Sequence, residues 1–502
     1  MTSGSEPDMG GDEAVAGGPG MGGDEQPETT IIDLLEPRDG LPPVTSTPED
    51  LAAAVERLAA GSGPVAVDAE RASGYRYGQK AYLVQLWREG AGTVLIDPVA
   101  CPDLSGLDAA LADTEAVLHA ASQDLPCLAE IGYRPRRLFD TELAGRLLGY
   151  PRVALGTVLE EVLGYRLAKE HSAADWSIRP LPEEMLRYAA LDVEVLVELR
   201  DALAVQLAEQ GKTEWARQEF AAIVSAVPPP PRPDPWRRTS GIHKVRNRRG
   251  LAVVRELWEV RDAIAREADL SPRRVLADQA IIEAARQLPD SRPQLDKISG
   301  FLARNARRHS AQWLTAVRRA RELPDSELPE VTGAGAVIGP PPAHRWSERD
   351  PAAAARLTAD RETIAALASA HKLPIENLLA PDAVRRLSWE PPNPATPETV
   401  AAALAGYGAR PWQAELAAGP LAAALASAAA PADPAAPDSA AAPAGLAAPA
   451  DLAAPADPAA PDSAAAPADP AAPPVGDADR ESGAPGDDDT DPRADITAEQ
   501  TR

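Results

Sequence analysis

From residue 45 to about 222 the chain alternates two hydrophobic rhythms. Short apolar runs at Val65–Asp68, Ala81–Trp87, Thr93–Ile96 and Val117–His119 have the length and composition of strands. Between and after them, apolar residues recur at helical spacing through Leu125–Ile131, Glu142–Leu148, Leu155–Leu163 and Glu183–Gln210. This alternation predicts an α/β domain over 45–222 built on a mixed sheet, with Val65-Ala66-Val67 on a buried strand.

The rhythm then changes. Pro228-Pro-Pro-Pro-Arg-Pro-Asp-Pro235 reads as a semi-rigid stretch within a Pro-rich, basic linker over 223–247. Beyond it the pattern is helical throughout: Leu257 to Glu267 has a helical face, and Ser271-Pro272 is a cap-and-restart signal, giving two helices across a tight turn. Residues 1–44 mix Gly, Asp, Glu and Pro with little apolar content and are expected to be disordered. In the segment 427–502, Pro-Ala-Asp-Pro-Ala-Ala-Pro-Asp-Ser-Ala-Ala-Ala-Pro-Ala occurs at 431–444 and again at 455–468. Proline blocks helix and sheet and alanine buries little area, so this segment reads as a disordered tail.

A length of 502 residues allows about three ordinary domains besides such tails. The two cysteines, Cys101 and Cys127, lack metal-ligand spacing and fit a reducing cytoplasm. No basic and apolar leader and no membrane-length apolar run is present, so a cytoplasmic protein without a membrane partner is expected. The net charge of −26 argues at first against a nucleic-acid partner. Its location reverses that: residues 1–50 carry twelve acids against one arginine, and 427–502 carry fifteen acids against three. Residues 232–325 instead hold 21 Lys and Arg against 12 Asp and Glu, which is where a polyanion would bind.

Candidate chemistry sits in three blocks. Asp68 and Glu70 close the strand Val65–Val67 two residues apart, so their side chains share a face. Tyr188 and Asp192 are four apart on a helix and share a face likewise. Hard oxygen ligands without a His/Cys cluster suit Mg²⁺ or Mn²⁺ and argue against zinc. The blocks Val65-Ala-Val-Asp-Ala-Glu70, His119-Ala-Ala-Ser-Gln-Asp124-Leu and Tyr188-Ala-Ala-Leu-Asp192, in that order, resemble the three exonuclease motifs of the DEDD 3′–5′ exonucleases in the subgroup with tyrosine in the third motif. Arg187 stands where the other subgroup has histidine. Asp175-Trp-Ser-Ile-Arg-Pro-Leu181 resembles the ribonuclease D family in particular. Residues 248–328, with Ile298-Ser-Gly-Phe301 and Trp313-Leu-Thr-Ala-Val317, resemble the helicase and ribonuclease D C-terminal (HRDC) domain. After a linker over 329–343, residues 344–426 resemble the second, divergent helical repeat of that family.

The resemblance implies a ribonuclease-H-like mixed-sheet exonuclease domain followed by two small all-helical domains. It implies a metal-dependent 3′–5′ exoribonuclease acting on RNA 3′ ends, such as transfer RNA precursors, by a two-metal mechanism. Asp68 would bridge two divalent ions, Mg²⁺ or Mn²⁺, Glu70 and Asp192 would complete one site, and Asp124 would serve the other through water. Tyr188 would orient the water or the scissile phosphate. Gln85 could face the site from Tyr82–Leu86, and Trp176 and Arg179 could hold a terminal nucleotide. Arg304, Arg307, Arg308, Arg318 and Arg319 are the candidate phosphate contacts of the basic helical region, and His119 is expected to be structural. A DNA exonuclease is the alternative, disfavoured by the lack of a polymerase block or Walker lysine motif; an inactive binding scaffold would require a lost carboxylate, and all four are present. The oligomeric state is left open, with a monomer compatible.

Overall fold

The computed structural model describes residues 31–167, 174–228, 230–331 and 339–429. Among the described residues eight strands run in chain order: β1 (Ile32–Leu34), β2 (Val44–Thr45), β3 (Ser62–Arg71), β4 (Ala81–Glu89), β5 (Gly92–Ile96), β6 (Glu115–Leu118), β7 (Arg137–Asp140) and β8 (Tyr165–Leu167). Six of them form one mixed sheet in the order β2-β5-β4-β3-β6-β7. The hairpin pairs β3/β4 and β4/β5 are antiparallel, while β2/β5, β3/β6 and β6/β7 are parallel. Helices cover the sheet, which is why β3 and β4 are apolar on both faces: Val65, Ala66, Val67, Leu83, Val84 and Leu86 are all fully buried.

Two details of β3 prepare the site. Its pairing with β6 extends over Val65 and Ala66, whereas its pairing with β4 runs on to Arg71, so the end of β3 is open on the β6 side. The register across β4 shifts between Glu70 and Arg71, a bulge at the end of the strand.

Several boundaries differ from the sequence expectation. Residues 31–44 are not a featureless tail: β1 pairs with β8, and β2 borders the large sheet. The single helix expected over Glu183–Gln210 is two, Glu183–Glu194 and Leu196–Glu209, separated at Val195. His119 lies beyond β6, which ends at Leu118. The second half of the expected linker belongs to the helical domain, because Trp236 is buried in its core with Leu251, Leu257, Ile281, Phe301 and Trp313. Ser271 precedes helix Pro272–Val275 as expected, but its side chain makes no capping bond. The expected tails lie largely outside the described residues, at 1–30 and 430–502, and helix Pro411–Ala429 reaches into the segment read as tail.

The two helical regions are attached differently. Residues 236–328 have their own core. The C-terminal helices share theirs with the sheet, for Trp346, Ile364, Leu387 and Trp412 belong to the same apolar cluster as Val65 and Leu118.

Candidate metal centre and nucleic-acid interface

Asp68 and Glu70 lie on the face of β3 opposite Gln85 and Leu83 of β4. Helix Glu183–Glu194 lies over this face, with Met185, Ala189 and Ala190 packed in one cluster with Leu83, Leu95 and Trp176. The two alanines let the helix approach closely, and Asp192, one turn beyond Tyr188, comes down on the strand carboxylates. One oxygen each from Asp68, Glu70 and Asp192 lies within 4.8 Å of the others.

Asp124 arrives from the open side of β3. After β6 the chain turns through Ala120, which takes a left-handed conformation with φ of 59°, then a short 3₁₀ turn at Ala121–Gln123. A non-glycine residue in this region is strained and needs support. Asp140, at the end of β7, supplies it: its carboxylate accepts the N–H groups of Ala120 at 3.1 Å and Ala121 at 2.9 Å. The same carboxylate caps helix Thr141–Leu148 through Glu142 and Leu143. Asp124 then stands beside Arg71, whose Nη2 is 3.4 Å from its Oδ1. Neither Asp140 nor Arg71 was among the residues singled out in the sequence; the sign of Asp140 was an acid directly before a helical run, and Arg71 depended on the bulge.

The electrostatics are those of a site made for cations. Burial pushes the carboxyls of Glu70, Asp124 and Asp192 well above the usual carboxylate range, and the charge of Asp68 raises each further. Asp68 is itself raised by burial, against the opposing effects of the Ala69 N–H, Arg71 and Gln85. Such crowding is unfavourable alone and is reversed by a bound divalent cation, so hard oxygen donors in this arrangement fit Mg²⁺ or Mn²⁺. Tyr188 donates its hydroxyl hydrogen bond to Asp192, and burial first, then the neighbouring carboxylates, hold its phenol protonated far above neutral pH.

The flanking residues need correction. Gln85 faces the site as expected, but it is fully buried and its Nε2 donates to Asp68 Oδ2 at 2.6 Å, which steadies that carboxylate and leaves no exposed surface for nucleic acid. Trp176 is fully buried, 6.4 Å from the Tyr188 ring, and packs the third motif in place of stacking on a nucleotide. Arg179 is bound to both oxygens of Asp97 and to the carbonyls of Trp176, Ile178 and Tyr82, which pins the segment before the helix. Arg187 pairs with Glu36 and Glu183. His119 is half-buried with Nδ1 2.9 Å from Thr141 Oγ1, and desolvation lowers its pKa to about 4. In the helical domain Arg304, Arg307, Arg308 and Arg318 are exposed and have no ion pair among the described residues, while Arg319 is paired with Glu256.

This fold with this cluster of acids defines a 3′–5′ exonuclease. Residues 43–208 match the family model described as a 3′–5′ exonuclease, 250–317 match the HRDC domain, and 339–425 match the 3′ to 5′ exonuclease C-terminal domain. Ribonuclease D of Gluconacetobacter diazotrophicus is 33% identical over 298 residues, covering 57% of this chain and 74% of that protein. Ribonuclease D of Escherichia coli is 32% identical over 274 residues, covering 53% and 72%. Among solved structures, a protein from Bifidobacterium adolescentis matches with TM-score 0.72 and 38% identity, over 78% of this chain and 99% of that one. The structure of Escherichia coli RNase D matches with TM-score 0.54 and 28% identity, over 69% and 89%. The chain belongs to the ribonuclease D family and is a 3′–5′ exoribonuclease of a divalent-metal-dependent class.

Proposed function

We propose that the chain trims or degrades the 3′ ends of structured RNA, transfer RNA precursors among them, with two Mg²⁺ or Mn²⁺ ions held by Asp68, Glu70 and Asp192 and, on the outer side, Asp124. The observation that carries this reading is the convergence of three carboxylates from β3 and helix Glu183–Glu194, with Tyr188 hydrogen-bonded to the third. Bound there, the ions would lower the pKa of an attacking water and take up charge on the leaving oxygen. The protein's own groups do the rest. Gln85 holds the Asp68 carboxylate in orientation, and Trp176 packs the Tyr188 ring so that its hydroxyl stays over the site. Once a metal ion takes up Asp192, the one O–H of Tyr188, which keeps its proton, would turn from that carboxylate to water or the scissile phosphate and orient it, with no need to ionise. Arg304, Arg307, Arg308 and Arg318 take the phosphates further from the 3′ end. Free, buried Cys101 and Cys127 suit the cytoplasm, and no helix among the described residues is long and apolar enough to cross a membrane. We take the working form to be a monomer, which sedimentation would check.

The test is product analysis on a 5′-labelled, 3′-tailed transfer RNA. Stepwise shortening in Mg²⁺ or Mn²⁺ and none in EDTA is expected, with DNA of the same sequence degraded more slowly. Faster loss of the DNA would replace this reading with that of a DNA exonuclease.

A further inference from the structure

The loop 72–80, between β3 and β4, leaves the strand that carries Asp68 and Glu70 and runs onto the HRDC-like domain. The Tyr77 hydroxyl donates to Asp262 Oδ1 at 3.0 Å and accepts from Arg266 Nη2 at 3.2 Å. The carbonyl of Tyr75 accepts the Ser271 N–H at 3.0 Å, and that of Gly74 accepts Arg274 Nε at 2.9 Å. The Arg274 guanidinium lies over the Tyr75 ring, 4.1 Å from its centroid. Arg76 reaches the other way, donating to Ser177 Oγ at 2.7 Å, next to the Trp176 that packs on Tyr188. On the far side of this contact, Asn305 Nδ2 donates to the Arg274 carbonyl at 2.9 Å and so joins helix Arg304–Arg308, whose arginines are exposed. Direct contacts therefore lead from the carboxylates, through one short loop, to the basic helix.

The two bodies joined here have separate buried clusters, and Tyr77 of the loop packs its ring against the helical one. What the bonds fix is the distance from the carboxylates to the arginines. We propose that loop 72–80 is the element by which the exonuclease reads strand length: it holds helix Arg304–Arg308 where the upstream phosphates of a long RNA strand lie when its 3′ end is at Asp68. On this proposal a dinucleotide bound at Asp68 makes no use of those arginines and gains nothing from the clamp. The proposal rests on the exoribonuclease activity and assigns Tyr77 as a positioning residue remote from the chemistry. Tyr77 is also the point where the clamp can be opened cleanly. Asp262 and Arg266 already pair with each other at 2.7 Å, so loss of the hydroxyl strands neither charge.

The experiment compares the full chain with its Tyr77→Phe and Tyr77→Ala forms on a 5′-labelled dinucleotide and on a single-stranded RNA of about 20 nucleotides, long enough to engage several arginines. Tyr77→Ala should lower kcat/KM on the long RNA several-fold, mainly through KM, and Tyr77→Phe less, because the ring remains. Dinucleotide hydrolysis should stay at the wild-type rate. In EDTA, affinity for the long RNA should weaken in Tyr77→Ala and its dependence on salt should flatten as fewer phosphates are contacted. Equal losses on both substrates, or no loss on the long RNA in either assay, would overturn the proposal. Failure of the wild-type chain to cleave the RNA would count against the activity itself; in that case, or if the dinucleotide alone is left uncut, the binding assay in EDTA decides the clamp.

Discussion

Burying Glu70 and Asp192 beside Asp68 sets like charges against one another where little water screens them, so in the proposed metal centre they would serve the reaction at a cost to the fold. Replacing Glu70 by Gln keeps the shape and removes one of the repelling charges. The metal-free protein should then melt at a higher temperature than wild type while its exonuclease activity is lost, and calorimetry in EDTA beside a cleavage assay checks both. Asp68→Asn or Asp192→Ala should likewise abolish cleavage and leave RNA affinity largely intact; residual hydrolysis near wild type in either would refute the assigned roles. At this scale the sequence was informative where spacing alone decides direction. Two residues along a strand, or four along a helix, put carboxylates on one face whatever the rest of the chain does. It was silent about Arg71, because the bulge after Glu70 turns that side chain to Asp124, and bulges have no signature in a single sequence. It misdirected Trp176 and Arg179, whose aromatic and cationic chemistry suits nucleic acid equally well but is spent here on packing Tyr188 and binding Asp97.

Among the elements, the turn after β6 has the most demanding job, since a strained Ala120 has to deliver Asp124 to the open side of β3. Asp140 binds two N–H groups of that turn and two of the following helix, so it couples the end of β7 to the site. Asp140→Ala should cost about 2 kcal/mol or more, a lost cap plus buried donors left unpaired. It should also lower kcat by displacing Asp124, whereas Asp140→Asn, which keeps an acceptor, should lose less of both. Urea denaturation and single-turnover rates would separate these effects. The strands nearest the site were legible because their apolar runs are long and bounded by turn formers. β7, β1 and β8 were not, being three or four residues long, and β1 and β8 are paired with each other from opposite ends of the domain's sequence. The break at Val195 was hidden for a similar reason: Leu, Val and Ala continue unbroken through it, and Glu194 is held by the backbone N–H of Arg38, 156 positions earlier.

Across the whole molecule the two appended helical regions have different physical relations to the exonuclease sheet, and their stabilities should differ accordingly. In the C-terminal region, Asp360 is fully buried against Ser388, and burial pushes its carboxyl up to about 6. A carboxyl raised on folding binds a proton in the folded state that the unfolded chain has released, so this contribution is greatest below pH 4 and is lost as pH rises through about 6. Asp360→Asn should therefore flatten the dependence of melting temperature on pH between 4 and 6. The same region joins the sheet through helix Thr213–Val224. Trp412 stacks on Trp215 at 4.6 Å and donates to Glu219, and Lys212 reaches the carbonyls of both Leu147 and His371. One shared apolar cluster means one cooperative unit, so Trp412→Ala should cost about 3–5 kcal/mol and lower hydrogen-exchange protection along β3, β4 and β6. Trp313 is as deeply buried, but in the separate core of the HRDC-like domain. Trp313→Ala should loosen that domain and leave the exchange of the sheet as it was. Unchanged sheet protection in Trp412→Ala would mean that the C-terminal helices are an accessory, whereas the predicted loss makes them part of the platform that holds β3, and with it Asp68 and Glu70, beneath Asp192.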